Sequence, residues 1–356
     1  MCPIEKLTQT KYGRSSSLNE LSEDEIVKSR LCDLGLQIDE SSAISHHYRQ
    51  LCAELDSKGL TQFRPRIYLG DEWFSPEGEP EIAIPFIFAD QKLIEIERKH
   101  LFEVEGEDSA YFMKLLRHES GHAFDHAFKL SRQKKWRKLF GSPDQDYDPD
   151  HYRPKPYSRA FVRNLDNWYA QSHPEEDFAE TFATWLNPAS DWKKQYARWP
   201  VALSKLNYID EVSSQFKAIP TPSSSRNAQI YNATRMRMTF GAYLNRKKKS
   251  LSHDAPDFYD DDLRRIFLGG LEKNPTQATA VKFLKRRRKQ ILETVSHWTR
   301  EKKFTIERIV ARLEKRCADL ELSINRPEDE VCLDIAAYLA TLMTHYFFTG
   351  SLKGRP

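Results

Sequence analysis

Apolar residues recur at helical spacing along most of this chain. Between Ser22 and Leu60 the positions Ile26, Leu31, Leu34, Ile44, Tyr48, Leu51 and Leu55 predict helices. Asp108 to Leu130 carries Phe112, Leu115, Leu116, Ala123 and Ala127 at three-, four- and seven-residue steps, one apolar face of a longer helix. Asp191 to Phe216 reads the same way, and Gln277–His297, Ile306–Leu322 and Glu328–Phe348 are the longest candidates beyond it. Strand signals are few. Phe63 to Leu69 reads as a strand despite Pro65, and Ile82 to Phe88 as a short apolar strand containing Pro85. A proline inside a strand points to an edge or a bulge. An edge could pair with an extended substrate through main-chain hydrogen bonds; the plainer reading is a core strand with an awkward proline. Gly70 to Glu79 is rich in turn residues, 136–156 forms a long polar loop, and Ile219-Pro-Thr-Pro-Ser-Ser-Ser-Arg226 reads as a linker. Residues 1–18 are polar and expected to be disordered.

Within the Asp108–Leu130 helix lies His118-Glu119-Ser120-Gly121-His122, an HExxH pattern. Histidines four apart share a helix face about one turn apart. Both imidazoles can then grip one zinc ion (Zn2+), with Glu119 beside the water that the metal activates. That chemistry is hydrolysis. Gly121 costs a mid-helix position about 1 kcal/mol relative to Ala, so either another backbone comes close there or the glycine has no special reason. His126 extends the series but drifts off the metal-facing line, and is expected behind the ligands at most.

A catalytic zinc needs a third protein ligand. Ser172-His-Pro-Glu-Glu-Asp-Phe-Ala-Glu-Thr-Phe-Ala-Thr-Trp-Leu186 offers it. Ser172 and Glu175 read as a capping box with Pro174 in the first turn. Glu176 and Glu180 then share a face. Glu176 is assigned as ligand and Glu180 as the carboxylate that orients a zinc-holding histidine, with Asp177 directed elsewhere. The plainer alternative is an acidic helix start favoured by the macrodipole.

With HESGHAFDHAF and NLDNWYAQSHPEEDFAETFATWL in hand, the chain resembles a bacterial family of zinc-binding metallopeptidases. Gly70-Asp-Glu-Trp-Phe-Ser-Pro-Glu-Gly, Ile82-Ala-Ile-Pro-Phe86 and Glu103-Val-Glu-Gly106 also fit that family, and the resemblance covers most of residues 60–350. It implies a gluzincin-like peptidase acting on protein or peptide substrates. The Glu176–Glu180 segment is also distantly similar to metalloproteases of the anthrax lethal-factor type. That similarity implies that Tyr169, seven positions before Glu176, stabilises the tetrahedral intermediate. His173 is the alternative for that task, and a core aromatic is the plainer reading of Tyr169.

The expected fold class is α+β, mostly helical. A tail and helices occupy residues 1–60, and a zincin-like catalytic domain with a small sheet beside the HExxH helix occupies 61–218. A linker at 219–226 and a helical, basic domain at 227–356 follow. The chain has 356 residues, 30% of them charged, and no apolar run of membrane-spanning length. Its start lacks an apolar signal core. Five cysteines, odd in number and scattered, read as reduced thiols in a cytoplasm. Charge is uneven: residues 281–316 hold 13 Lys/Arg against 4 Glu, although the whole chain is only +3. The segment Lys282-Phe-Leu-Lys-Arg-Arg-Arg-Lys289, preceded by Arg246-Lys-Lys-Lys249, could hold nucleic-acid phosphates and recruit the protein to bound or crosslinked proteins. A solvated face, or a contact for an acidic partner, is the alternative reading. A zinc-containing binding protein without catalysis is a further alternative, against which Glu119 counts.

Overall fold

The computed structural model describes residues 18–146, 152, 154–224, 229–251, 260–267, 279–324 and 326–349. The predicted disordered tail therefore lies outside the described residues, except for Leu18, as do parts of the 136–156 loop and the end of the 219–226 segment. The α+β class holds: among the described residues there are thirteen α-helices and one two-stranded parallel sheet. The chain divides into two compact units, Met1–His100 with Val104–Leu244, and Leu101–Glu103 with Asn245–Pro356.

The first unit begins with helix α1 (Glu23–Lys28) and helix α2 (Ala43–Ser57). Each starts on a serine whose hydroxyl accepts an N–H of the first turn. Strands β1 (Arg66–Gly70) and β2 (Glu81–Pro85) pair in parallel, Arg66 opposite Glu81 and Gly70 opposite Pro85. β2 is buried along its whole length, and its Ala83 N–H donates to the Phe74 carbonyl at 2.8 Å. It is thus a core strand, and that N–H is not free to receive an extended substrate. The strand stops at Pro85 instead of reaching Phe88, because proline fixes φ and carries no N–H to continue the ladder. Phe86–Ala89 turns into a 3₁₀ helix there.

Helices α3 (Gln91–Leu101), α4 (Ser109–Phe128), α5 (Lys134–Phe140), α6 (Pro174–Leu186), α7 (Trp192–Gln195) and α8 (Pro200–Ser214) follow. α4 starts on Asp108, whose carboxylate accepts the Tyr111 N–H at 2.9 Å, and ends at Lys129 in the left-handed conformation. It is the central element of the unit, with α6 against it along much of its length and α2 and β2 also in contact with it. Phe124 packs on Phe63 and on Phe182 with ring centroids 5.1 Å apart in each case. Phe240, Tyr243 and Leu244 of helix α9 (Phe240–Ser250) complete the same core.

The second unit holds helices α10 (Asp260–Ile266), α11 (Ala280–Thr299), α12 (Lys303–Asp319) and α13 (Glu328–Thr349). α11 packs against both α12 and α13 around Phe283, Leu284, Ile291, Ile309, Leu313 and Ile335. The three arginines of the basic run on α11 are paired within the unit. Arg286 pairs with Glu328, Arg287 with Glu328 (3.3 Å) and Asp329 (2.8 Å), and Arg288 with Glu307 and Glu314 (both 2.6 Å). The expectation of a nucleic-acid partner at Lys282–Lys289 accordingly finds no support, since guanidinium groups held by carboxylates have less charge to offer phosphates. No helix among the described residues is long and apolar enough to cross a membrane.

One buried ion pair fixes α4 against α2. Arg117 donates from Nε and Nη2 to the two oxygens of Glu54, both at 2.7 Å, and both residues are buried. Removing one partner strands the other charge in the interior. Arg117→Ala should therefore cost about 3–5 kcal/mol in urea denaturation, whereas the double change Arg117→Met/Glu54→Leu should recover most of that loss.

Candidate metal centre

α6 begins where its sequence dictates a start. Pro174 occupies the first helical position, and Glu175, Glu176 and Asp177 place three acids at the positive end of the helix. The cap itself is His173, not the expected Ser172: His173 is extended and its Nδ1 accepts the Glu175 N–H at 3.3 Å. Ser172 is in a helical conformation at the end of a 3₁₀ turn, Tyr169–Gln171, and its hydroxyl donates to the Tyr169 carbonyl. It has neither the backbone nor the free side chain a cap requires.

α4 and α6 cross at Gly121. A Cβ there would lie 2.9 Å from Ala179 Cα and 3.0 Å from Phe182 Cβ. Close approach of another backbone is therefore what the mid-helix glycine permits. The approach brings carboxylates from α6 onto the histidines of α4. Glu176 Oε2 lies 2.9 Å from His118 Nε2 and 3.2 Å from His122 Nε2, and the two Nε2 atoms are 3.1 Å apart. Among the described residues, these three form the one group whose ligand atoms converge closely enough to hold a metal ion.

Glu180 Oε1 lies 2.8 Å from His118 Nδ1. A proton on Nδ1 donated to that carboxylate leaves the Nε2 lone pair turned toward Glu176 and His122. Glu180 is fully buried, and Asn164 and Leu165 satisfy its remaining acceptor sites. Asp177 points away, as expected: its Oδ2 meets Lys205 Nζ at 2.5 Å, and burial pushes its carboxyl up to about 7 against the pull of that lysine.

The carboxylates favour positive charge on or between the two imidazoles. Burial disfavours charge on His118, yet the Glu176 and Glu180 carboxylates at its two nitrogens raise its pKa well above the ordinary value. His122 is raised as well, against burial, chiefly by Glu176. Glu176 is held well below the usual carboxylate range, despite burial, by His122 and His118. Two imidazole nitrogens and one carboxylate oxygen, one imidazole braced from behind, are the donor set of a His₂Glu zinc site. The residues fit zinc.

Glu119 is buried on the same helix, and its Oε2 has no hydrogen-bond partner among the described residues. Burial raises its pKa. The Tyr169 ring lies 5.7 Å from that of His118, centroid to centroid. His173 has Nδ1 occupied by the cap and Nε2 3.2 Å from the Gln145 carbonyl. His126 is outside the donor group. Its ring is 6.3 Å from that of His122, its Nδ1 is 3.3 Å from Ser75 Oγ, and burial pulls its pKa down to about 4. Sequence reasoning missed Asn164, which sits in a loop without periodicity.

Residues 81–268, more than half of the chain, match the family model described as "putative zinc-binding metallo-peptidase". No curated protein and no solved structure matches the chain.

Propensity alone would make Gly121→Ala stabilising by about 1 kcal/mol. Because the added methyl meets the backbone of α6, we expect a loss of about 1–3 kcal/mol instead. Calorimetric melting of the metal-free protein reads the first effect. Chelator competition should show weaker zinc binding in the same variant, as α6 is pushed away from His118.

Proposed function

The chain belongs to the family of putative zinc-binding metallo-peptidases, and from that premise we propose that it is a zinc-dependent peptidase, gluzincin-like in its ligands and zincin-like in its catalytic fold. His118, His122 and Glu176 hold the ion, and Glu180 sets the orientation of His118. When bound, zinc supplies a Lewis acid for the scissile carbonyl and lowers the pKa of water toward about 7.

The chain's own residues do the rest. Glu119 accepts the proton of the attacking water at Oε2, then gives it to the leaving amine nitrogen as the carbon–nitrogen bond breaks. Burial raises its pKa, the direction that favours holding the transferred proton. Tyr169, beside His118, donates its hydroxyl to the developing oxyanion. His173 is the weaker candidate, since both its ring nitrogens face other groups. The substrate is a protein or peptide.

The observation that carries this reading is the setting of Glu119. A buried carboxylate oxygen with no partner costs stability, and a purely structural zinc site has no use for it. Glu119→Gln should bind zinc to the same stoichiometry as wild type, by plasma mass spectrometry. Its cleavage of a denatured-protein mixture should fall at least roughly 10²-fold. His118→Ala and His122→Ala should lose both metal and cleavage. Tyr169→Phe should keep the metal and lower kcat roughly 10²-fold. Fully zinc-loaded wild type that cleaves nothing in such a mixture would leave a non-catalytic zinc protein as the better reading.

A further inference from the structure

Glu180 is braced from two directions. His118 Nδ1 approaches Oε1 from α4 at 2.8 Å. From the opposite side come three donors of the segment that leads into Tyr169. Asn164 N–H and Leu165 N–H donate to Oε2 at 2.9 and 2.7 Å, and Asn164 Nδ2 donates to Oε1 at 3.1 Å. Nδ2 also lies 3.3 Å from the Lys114 carbonyl, one helical turn before His118. One asparagine thus touches the carboxylate of α6 and the backbone of α4 at once.

We propose that Asn164 is a positioning residue for the metal centre, which holds Glu180 so that His118 presents Nε2 to the ion and which couples retention of zinc to the order of residues 164–171. The inference rests on the zinc reading of His118, His122 and Glu176.

A buried carboxylate offers about four acceptor sites, and here four donors fill them. With both oxygens pinned, Glu180 cannot rotate, and the imidazole it faces inherits a fixed ring plane. The amide identity matters. An aspartate at 164 would have the same shape but present acceptors to an acceptor. The coupling follows from the backbone. Three and four residues after Asn164, Asn167 and Trp168 stand at φ of 58° and 54°. Consecutive left-handed residues that are not glycine are strained and persist only where surrounding contacts impose them. Upstream, the anchor is Glu180. Tyr152 O–H donates to the Asn167 carbonyl at 2.5 Å, and Ser172 Oγ donates to the Tyr169 carbonyl at 2.7 Å. Tyr169 is held between these points.

Zinc affinity, measured by competition with a chromophoric chelator well below the melting temperature, tests the first half. Asn164→Ala should weaken binding roughly 3- to 10-fold, and Glu180→Gln roughly 10- to 100-fold. An amide at 180 has one acceptor oxygen where the carboxylate has two: with that oxygen facing His118 and Asn164 Nδ2, its NH2 group meets the Asn164 and Leu165 N–H donors. Because Asn164 acts through Glu180, the double variant should bind no more than about twofold weaker than Glu180→Gln alone. Asn164→Asp should be worse than Asn164→Ala. Wild-type affinity in Asn164→Ala, or losses that multiply in the double variant, would overturn the assignment.

Hydrogen exchange on the unmodified protein tests the second half and needs no variant to fold. Adding zinc should slow exchange at the Asn164 and Leu165 amides more than at amides of α8. Equal slowing would refute the coupling. Neither measurement uses turnover. A wild-type chain that binds zinc and cleaves nothing sinks the peptidase reading alone, and an active Asn164→Ala with unchanged zinc affinity sinks this one alone.

Discussion

The separation of two helix backbones governs everything at the metal centre. His118 and His122 are fixed to α4, Glu176 and Glu180 to α6, and no covalent link shorter than fifty residues joins them. Helix axes ordinarily pack 8–10 Å apart according to the side chains between them. Gly121 against Ala179 leaves no room for a side chain between the two backbones, with Phe182 alongside. A glutamate side chain is short, and only at such an approach does Glu176 reach both Nε2 atoms while Glu180 passes behind to Nδ1. The propensity that Gly121 sacrifices, about 1 kcal/mol, is small beside what the contact assembles.

That contact gathers charge into an interior that would otherwise exclude it. Three carboxylates, Glu119, Glu176 and Glu180, are all buried within reach of two histidines. Isolated buried carboxylates are costly, and each is handled differently. Glu180 is saturated by four donors and has nothing left to offer. Glu176 is stabilised as an anion by the imidazoles, so its charge is directed at the space between them. Glu119 keeps an oxygen without a partner among the described residues. Three chemically identical side chains are thus distinguished by their hydrogen bonding, and the roles proposed for them follow that difference.

Local spacing made part of this legible. An i, i+4 pair lies on one helix face wherever the helix goes, so His118 with His122 and Glu176 with Glu180 could be read as pairs from the sequence. Their meeting could not, because helical periodicity does not encode which face of α6 lies on α4. The need of a catalytic zinc for a third protein ligand supplied that step, and the family resemblance agreed with it. Ser172 was misleading because a Ser-x-x-Glu run signals a cap only if the serine is extended, and the preceding 3₁₀ turn keeps it helical. The basic run lost support for a related reason. Counting charges over residues 281–316 omits Glu328 and Asp329, which α13 folds back onto Arg286 and Arg287. Arg117 with Glu54 and Asn164 with Glu180 are tertiary pairs on elements with no shared period, and nothing in the sequence announces them.

On the roles proposed for Asn164 and Tyr169, the segment before α6 is where such unannounced contacts would carry function. Asn164, Leu165 and Tyr169 belong to a stretch with no strand and only one short 3₁₀ turn, so no ladder of repeating hydrogen bonds fixes its path. A segment of that kind is ordinarily loose. Here its N–H groups end on a carboxylate that is itself committed to a histidine, so the backbone that carries Tyr169 is referenced to the same atoms as the metal site. A catalytic group placed by an independent loop would wander relative to the ion. On the role proposed for Tyr169, a group anchored through Glu180 takes its position from the same hydrogen bonds that orient His118. Because transition-state stabilisation falls off within about an ångström of misplacement, a shared anchor is a more economical solution than stiffening the loop throughout.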